Sequence, residues 1–233
     1  MTLYRHGDPL RSGKTAPTQT LHGQTRPDHL PRRGNRWTQK LAWWVLRRSG
    51  WDIRGLYPDA SRLIIIGAPH SSNFDWFWGM LVQWALGVRF SFFIKHVFFV
   101  GPLGWVMSYL GGVPVNRRRV RGAVTDAADL FAQHEKIVLF ITPEGRTKPV
   151  RNLKKGFYKL ALAAQVPVLV VSFRYDERVI ALDGYLDMAG SFDQVAERLN
   201  THYGPIKGRR RGYLNRLENW AVRPLPKNVK IYD

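Results

Sequence analysis

The sequence predicts an α/β domain whose mixed, largely parallel sheet is flanked by helices and preceded by an amphipathic helical segment. Three observations predict this fold class. Short apolar, β-branched runs alternate with longer segments of helical length, which is typical of β-α-β units. Glycine and proline interrupt the apolar pattern between many of these segments. A length of 233 residues with 45% apolar composition is sufficient for one domain with a substantial core.

The predicted elements begin at Leu63 and continue along residues 63–205, which form the α/β domain. Strands are predicted at 63–67, 90–94, 113–116, 137–142 and 167–173, and helices at 74–86, 102–110, 122–134 and 153–164. Residues 1–35 are rich in Pro, Gly, Thr, His and Arg without an apolar period, so we expect a mobile basic arm. Residues 206–233 are predicted to be a peripheral basic tail.

Residues 36–62 are predicted to form an amphipathic, membrane-facing helical segment. Apolar residues at helical spacing have basic residues around them: Trp37, Leu41, Trp44 and Val45, with Arg36, Lys40, Arg47 and Arg48. A basic helix with tryptophans on its apolar side is typical of an interfacial membrane anchor. The same stripe could instead pack on the protein's own core, so both alternatives stay open.

The segment after the first predicted strand contains a candidate base and a candidate orienting carboxylate. Five residues of helix turn through about 500°, so His70 and Asp75 cannot share one helical face. They can meet if His70 lies on the loop after the strand and Asp75 lies in the first turn of the next helix, which residues 71–73 would cap. An imidazole held by a carboxylate can remove a proton from a hydroxyl. The alternative is a half-buried histidine beside an acid that favours the helix dipole.

An uncharged stretch at 97–115 raises the question of a membrane span. Its nineteen residues are at the lower limit for a transmembrane helix. The stretch also contains four glycines and two prolines. A strand, a short helix and a turn are therefore predicted in place of a continuous span.

Three further segments carry motifs in the order found in a known family. They are Gly111–Arg117, Thr142–Thr147 and Val166–Val171, and they follow the block that contains His70 and Asp75. From Leu63 to Tyr175, roughly half of the chain, the order and spacing resemble the glycerolipid acyltransferase family, the enzymes similar to bacterial 1-acylglycerol-3-phosphate acyltransferase. Each motif alone is weak, but four in order are specific.

The resemblance implies a catalytic pair and an activated donor. His70 would act as the general base, Asp75 would orient it, and Lys95 would face the substrate. The acyl group would come from acyl-CoA or acyl-carrier protein and pass to a hydroxyl of a lysophospholipid or glycerol phosphate. No metal or organic cofactor is implied, because the thioester supplies the activated acyl group. The protein would work on the cytoplasmic face of the inner membrane, as a peripheral or monotopic protein.

The resemblance also implies a binding site for a phosphate or a similar polar head. Arg117 would bind it together with Glu144, Gly145 and Arg146. The chain has Arg146 and then Thr147, where the family usually has Thr and then Arg. A long arginine side chain on a loop can reach the same phosphate after a displacement by one position.

The charge of the chain agrees with an anionic substrate and also with another class of protein. The sequence has 36 Lys plus Arg against 17 Asp plus Glu, a formal charge of +19. Basic runs at 117–121 and 146–159 adjoin the motifs. A protein that binds nucleic acid or anionic lipid without catalysis would have a similar charge. That alternative leaves His70, Asp75 and Glu144 unexplained, so nucleic acid is not expected as a partner.

The cysteine and histidine content narrows the chemistry. The chain has no cysteine, which excludes disulfides, thiolate catalysis and cysteine-bound metals. No pair of histidines has the spacing of a metal-binding helix, and His202, like most of the other histidines, is expected to face solvent.

Overall fold

A computed structural model describes residues 10, 16–70, 72, 74–115, 122–145 and 153–209. Within these residues, seven strands form one sheet: β1 (Asp52–Arg54), β2 (Arg62–Ala68), β3 (Phe90–Lys95), β4 (Gly112–Val115), β5 (Ile137–Ile141), β6 (Val168–Arg174) and β7 (Val179–Tyr185). The α-helices of the same part of the chain are α1 (Arg36–Arg48), α2 (Phe74–Leu86), α3 (Gly101–Leu110), α4 (Gly122–Gln133), α5 (Gly156–Ala164) and α6 (Phe192–Tyr203). The predicted fold class is confirmed.

The strand order brings five carboxyl ends to one edge of the sheet. The order is β1-β7-β6-β2-β5-β3-β4. Strands β2 to β6 run parallel, whereas β7 pairs antiparallel with β6 and β1 pairs parallel with β7. In open sheets of this kind, ligands bind outside the carboxyl ends of the strands. The functional site is therefore expected at that edge.

Alternate residues of β2 belong to two hydrophobic cores. Leu63 and Ile65 pack with α1 and α2 on one face of the sheet. Ile64 and Ile66 pack with α5 and α6 on the other face. Successive side chains of a strand point to opposite faces, and a strand covered on both faces needs a continuous apolar run. That requirement explains why residues 63–66 of β2 are an unbroken run of leucine and isoleucine.

Helix α1 has one buried and one exposed apolar face. The Asn35 side chain accepts from the backbone N–H of Thr38, and the Thr38 hydroxyl accepts from the Asn35 N–H, which forms a capping box. The buried face packs on the core and comprises Ala42, Trp43, Val45 and Leu46. The other face exposes Trp37 (78%), Leu41 (61%) and Trp44 (63%). Part of the apolar stripe therefore packs on the protein's own core, with Val45 partly buried against it, while membrane contact of the exposed face stays a prediction.

The uncharged stretch folds into the short elements that its glycines and prolines predicted. A 3-10 turn at His96–Phe98 is followed by α3 and β4. Gly111 joins them with a φ of 103°, and a Cβ atom there would lie 2.1 Å from the Phe90 carbonyl oxygen, so only glycine fits. Of the helices in the described ranges, none is long and apolar enough to cross a membrane.

Strands β1 and β7, helix α6 and part of the core differ from the predictions, which did not include them. Leu21 and Leu30, from the region predicted as a basic arm, are at most 1% exposed, although two isolated leucines produce no apolar period. The expectation that His202 faces solvent is wrong. His202 is buried in α6 and its Nε2 lies 3.2 Å from Asp183 on β7, a strand that was not predicted.

Candidate active site

Four candidate side chains come from the carboxyl ends of neighbouring parallel strands. His70 follows β2, Glu144 follows β5 and Tyr175 follows β6, while Lys95 is the last residue of β3. These strands are neighbours in the order β6-β2-β5-β3. The topology therefore brings residues that are far apart in sequence to one edge of the sheet.

His70 and Asp75 meet in the geometry that their spacing predicted. His70 lies on the loop after β2 and Asp75 in the first turn of α2. His70 Nδ1 is 3.3 Å from Asp75 Oδ2, and the two side chains are 21% and 2% exposed. When Nδ1 directs its proton at the carboxylate, Nε2 remains available as a base.

Asp75 is held by its own loop and by a second strand end. The backbone N–H of Ser72 donates to Asp75 Oδ2 at 2.8 Å, and Ser72 Oγ accepts from the Phe74 N–H at 3.2 Å. The Tyr175 hydroxyl donates to Asp75 Oδ1. Hydrogen bonds to a buried carboxylate stabilise its charged form, which is the form that can orient a histidine. Ser72 thus accepts from the first N–H of α2, while the N-cap position itself, residue 73, lies outside the described residues, as does residue 71.

Glu144 is a second buried carboxylate beside His70. It is 5% exposed, and its Oε2 accepts from the backbone N–H of His70 at 3.0 Å. Burial raises the pKa of Glu144 to about 7, and the hydrogen bond from His70 offsets this effect only in part. Gly145 follows in the left-handed conformation with φ 67° and donates its N–H to the Thr142 carbonyl at 3.0 Å. The resulting turn holds the Glu144 carboxylate against the His70 loop.

A cavity of about 480 Å³ includes His70 and Asp75 in its wall. The rest of its lining is largely apolar and includes Met80, Phe90, Phe92, Phe93, Phe140 and Phe173. A Cβ atom on Gly79, which also lines the cavity, would meet nothing within 4 Å. The volume lies in the range of small-molecule sites, and the lining suits a hydrocarbon chain whose reactive end lies at His70.

The remaining predicted site residues are Lys95, Arg117 and Arg146, and the structure does not place them in the site. Lys95 is exposed at the end of β3 and is not part of the described cavity lining. Arg117 and Arg146 lie outside the described residues, so their contacts stay predictions. Lys154, from the basic run at 146–159, borders the site, because a Cβ atom on Gly145 would lie 3.2 Å from its side chain.

Tyr175 and Arg209 were not predicted as site residues. Arg209 Nη1 donates to Ser72 Oγ at 3.1 Å, and Arg209 Cζ lies 3.9 Å from the centre of the Phe74 ring. The start of the predicted peripheral tail therefore contacts the loop that holds Asp75. The position of Tyr175 just after a predicted strand could have suggested that it lies in the site. For Arg209, the only signal in the sequence was its positive charge.

The chain matches the model of one known protein family. A family model described as Acyltransferase matches residues 53–174, slightly more than half of the chain. That range contains His70, Asp75 and Glu144.

Two individual proteins are similar to the chain in sequence or in fold. The 1-acyl-sn-glycerol-3-phosphate acyltransferase beta of Homo sapiens is 40% identical over 85 residues, which are 34% of this chain and 30% of that protein. The chain thus matches only about a third of the length of that relative. The crystal structure of the 1-acyl-sn-glycerophosphate (LPA) acyltransferase PlsC from Thermotoga maritima has a TM-score of 0.50 and 17% identity, and the match covers 82% of this chain and 80% of that one. The second likeness shows the fold.

Proposed function

The chain belongs to the Acyltransferase family, and from this premise we propose that it transfers a fatty acyl group from a thioester donor to a hydroxyl of a lysophospholipid or glycerol phosphate. The donor would be acyl-CoA or acyl-carrier protein. The observation that carries the proposal is the His70–Asp75 pair in the wall of an apolar cavity. A base beside a space for a hydrocarbon chain is what acyl transfer to a lipid requires.

In the proposed reaction, His70 Nε2 removes the proton from the acceptor hydroxyl while the hydroxyl oxygen attacks the thioester carbonyl carbon. The tetrahedral intermediate then collapses and the carbon–sulfur bond breaks. The leaving thiolate takes the proton from the His70 imidazolium and departs as a thiol. Asp75 orients the ring and stabilises the imidazolium between the two proton transfers. This scheme needs no metal or organic cofactor.

The polar head of the acceptor would lie near Glu144 and Gly145, of which Gly145 also lines the cavity beside His70. Glu144 and Gly145 lie next to His70, and Lys154 borders Gly145. Arg117 and Arg146 would supply the phosphate contacts that the family resemblance implies. Basic groups near the acceptor would also attract the phosphates of coenzyme A or of a carrier-protein arm.

Three helices support the proposal that the protein docks on a membrane. Besides the exposed face of α1, helix α3 exposes Trp105 (72%) and Tyr109 (56%), and the start of α2 exposes Trp76 (48%). Arg33 lies between these helices: its guanidinium carbon is 5.2 Å from the Trp84 ring of α2 and 4.5 Å from the Tyr109 ring of α3. Large exposed apolar side chains that cluster on a surface mark an interaction site.

The charge of these segments favours an anionic bilayer as the partner. Residues 29–51 and 76–125 contain no acidic residue, whereas Arg36, Lys40, Arg89 and Lys95 are basic. Tryptophans with flanking basic residues and no acids match the interface of an anionic leaflet. We place this surface against the cytoplasmic face of the inner membrane, where lyso-lipid acceptors would be present.

The experiment that tests the activity is an acceptor panel. Purified protein is incubated with acyl-CoA and, separately, with lysophosphatidic acid, glycerol phosphate, other lysophospholipids and lyso-aminolipids. Thiol release and lipid mass spectrometry should show an acylated product with at least one acceptor. No product with any acceptor or with an acyl-carrier-protein donor, combined with steeply salt-dependent nucleic-acid binding, would contradict the proposal.

A second experiment tests membrane docking. Changing Trp37 and Trp44 together to Gln should weaken binding to anionic liposomes by about tenfold or more, because large apolar side chains leave the bilayer interface. The melting temperature should change little, because both side chains are exposed. Trp43→Gln is the matched control, since Trp43 is 8% exposed and its replacement should lower the melting temperature. Unchanged liposome binding by the double variant would remove α1 from the docking surface.

A further inference from the structure

Tyr175, which no sequence motif marked, contacts the carboxylate of the candidate pair. It is the first residue after β6, the strand next to β2, and its backbone N–H donates to the Lys207 carbonyl at 3.1 Å. Its hydroxyl donates to Asp75 Oδ1, whereas Asp75 Oδ2 accepts from the Ser72 N–H and faces His70 Nδ1. The two oxygens of Asp75 therefore have different partners, and the tyrosine is opposite the histidine.

An aromatic cluster fixes the ring of Tyr175. Trp51 meets it edge-on, with ring centroids 5.0 Å apart, and packs against Trp78 of α2 at 4.8 Å. Trp78 lies three residues after Asp75 on the same helix, so α2 carries the carboxylate and also supports the cluster that positions the tyrosine. Burial, and then the hydrogen bond to Asp75, raise the pKa of Tyr175 well above its ordinary value. Its hydroxyl therefore remains a donor at neutral and moderately alkaline pH.

We propose that Tyr175 is a positioning residue for the His70–Asp75 pair. Its hydroxyl fixes Oδ1 of Asp75, so that Oδ2 stays directed at His70 Nδ1, and it takes up part of the negative charge of the carboxylate. This inference rests on the proposed acyl transfer, in which His70 is the base. A side chain whose orientation is fixed by packing and by hydrogen bonds holds a reacting group within the narrow geometry that catalysis needs.

Tyr175→Phe tests the role of the hydroxyl alone, because the ring and its contact with Trp51 remain. We expect kcat to fall by about tenfold, which corresponds to one hydrogen bond to a charged group, while KM for the acceptor changes little. The acceptor does not contact Tyr175 in the proposed reaction. A change in KM with an unchanged kcat would overturn the positioning role.

The pH profile gives a readout that a packing role would not change. Without the tyrosine donor, Asp75 attracts a proton more strongly and its undivided charge favours the protonated form of His70. Both effects lower the fraction of enzyme in which His70 is neutral and Asp75 is ionised, and they do so at low pH. The acidic limb of the kcat profile should therefore move to higher pH. Glu144 and Arg209 also face the pair, and they are present in both proteins. An unmoved acidic limb would contradict the proposal.

Tyr185→Phe is the matched control. The Tyr185 hydroxyl donates to Asp59 Oδ1 at 2.7 Å, so the same tyrosine-to-aspartate hydrogen bond is lost. Tyr185 pairs with Leu169 at the start of β6, which places it at the opposite edge of the sheet from His70. Kinetic constants and pH profile should match the wild type. A tenfold loss of kcat in this variant would show that any such loss is unspecific.

An NMR titration separates this inference from the proposed function. The ring signals of His70 can be followed in the wild type and in Tyr175→Phe without any substrate. His70 should titrate at higher pH in the variant, and identical titration curves would overturn the coupling through Asp75. If the acceptor panel gives no product but the titration shifts, the positioning contact stands and the acyl-transfer proposal fails.

Discussion

Two histidine–aspartate pairs in the described part of the chain show how surroundings decide what the same two groups can do. His70 Nδ1 lies 3.3 Å from Asp75, and His202 Nε2 lies 3.2 Å from Asp183. The His70 side chain is 21% exposed in the wall of a cavity, whereas the His202 side chain is 2% exposed. The pair becomes a candidate base only where a substrate can reach the free ring nitrogen.

The second pair belongs to a buried ionic cluster. Arg174 Nη2 lies 3.4 Å from Asp183, and Arg174 Nε donates to Ser172 Oγ at 3.1 Å. Arg174, Asp183 and His202 are all at most 3% exposed. Removing one member of such a cluster leaves a buried charge without its partner, which is strongly destabilising. We therefore expect the first pair to govern rate and the second to govern stability.

His70→Ala should give the largest effect and should break the first pair only. Loss of a general base typically lowers the rate by about 10²–10⁴-fold. The melting temperature should change little, because the ring is in a cavity wall. Thiol release from acyl-CoA with acceptor and a thermal melt check the two halves of this prediction. Near-full activity of the variant would exclude His70 as the base.

His202→Ala should have the opposite result. The free energy of unfolding should fall by about 3–5 kcal/mol, because a large buried side chain is truncated and Asp183 loses a buried hydrogen-bond partner. Below its lowered melting temperature the folded variant should keep the wild-type kcat. Denaturant unfolding and steady-state kinetics on the same sample measure both quantities. A loss of kcat with an unchanged unfolding midpoint would place His202 in the site and remove the contrast between the pairs.

Glu144→Gln sharpens the comparison by testing a buried carboxylate whose pKa is raised by burial. The folded-state pKa of about 7 exceeds the ordinary value of 4.5. The contribution of Glu144 to stability is therefore complete below pH 4.5 and is lost as pH rises through 7, by on the order of 3 kcal/mol. Glutamine cannot ionise, so the variant should gain stability relative to the wild type over this interval.

Chemical denaturation of both proteins between pH 4 and pH 8 measures this difference. The comparison cancels the changes in repulsion among the many basic groups, because both proteins carry them. A constant difference in unfolding free energy across the interval would show that Glu144 is ionised with an ordinary pKa.

The first pair could be predicted from sequence because its geometry is local. The run at 63–67 predicted a buried strand, and helix geometry then required His70 on the loop and Asp75 in the first turn. Tyr175 could not be placed against Asp75 in the same way, since their contact depends on β6 and β2 being neighbours. Arg209 is separated from Ser72 by 137 positions, and no local pattern records such a contact.

The second pair could have been found in part. In α6, Val195, Leu199 and His202 share one helical face, and the first two are fully buried. That spacing predicts His202 on the buried side. Its partner Asp183 lies on β7, where a charged residue interrupts the apolar run and hides the strand. The missing strand explains why the buried cluster was not predicted.

Arg33 has a consequence for how the three apolar helices can move. Burial lowers the pKa of Arg33, and its Nε and Nη2 have no hydrogen-bond partner among the described residues. The faces of the Trp84 and Tyr109 rings lie against the guanidinium, and its Nη1 donates to the Tyr109 carbonyl. Because Arg33 lies three residues before the start of α1, it restricts rotation of α1 relative to α2 and α3 at this end. In the proposed docking on a membrane, the three helices would therefore tilt as one rigid body, which would fix the angle at which the cavity meets the bilayer surface.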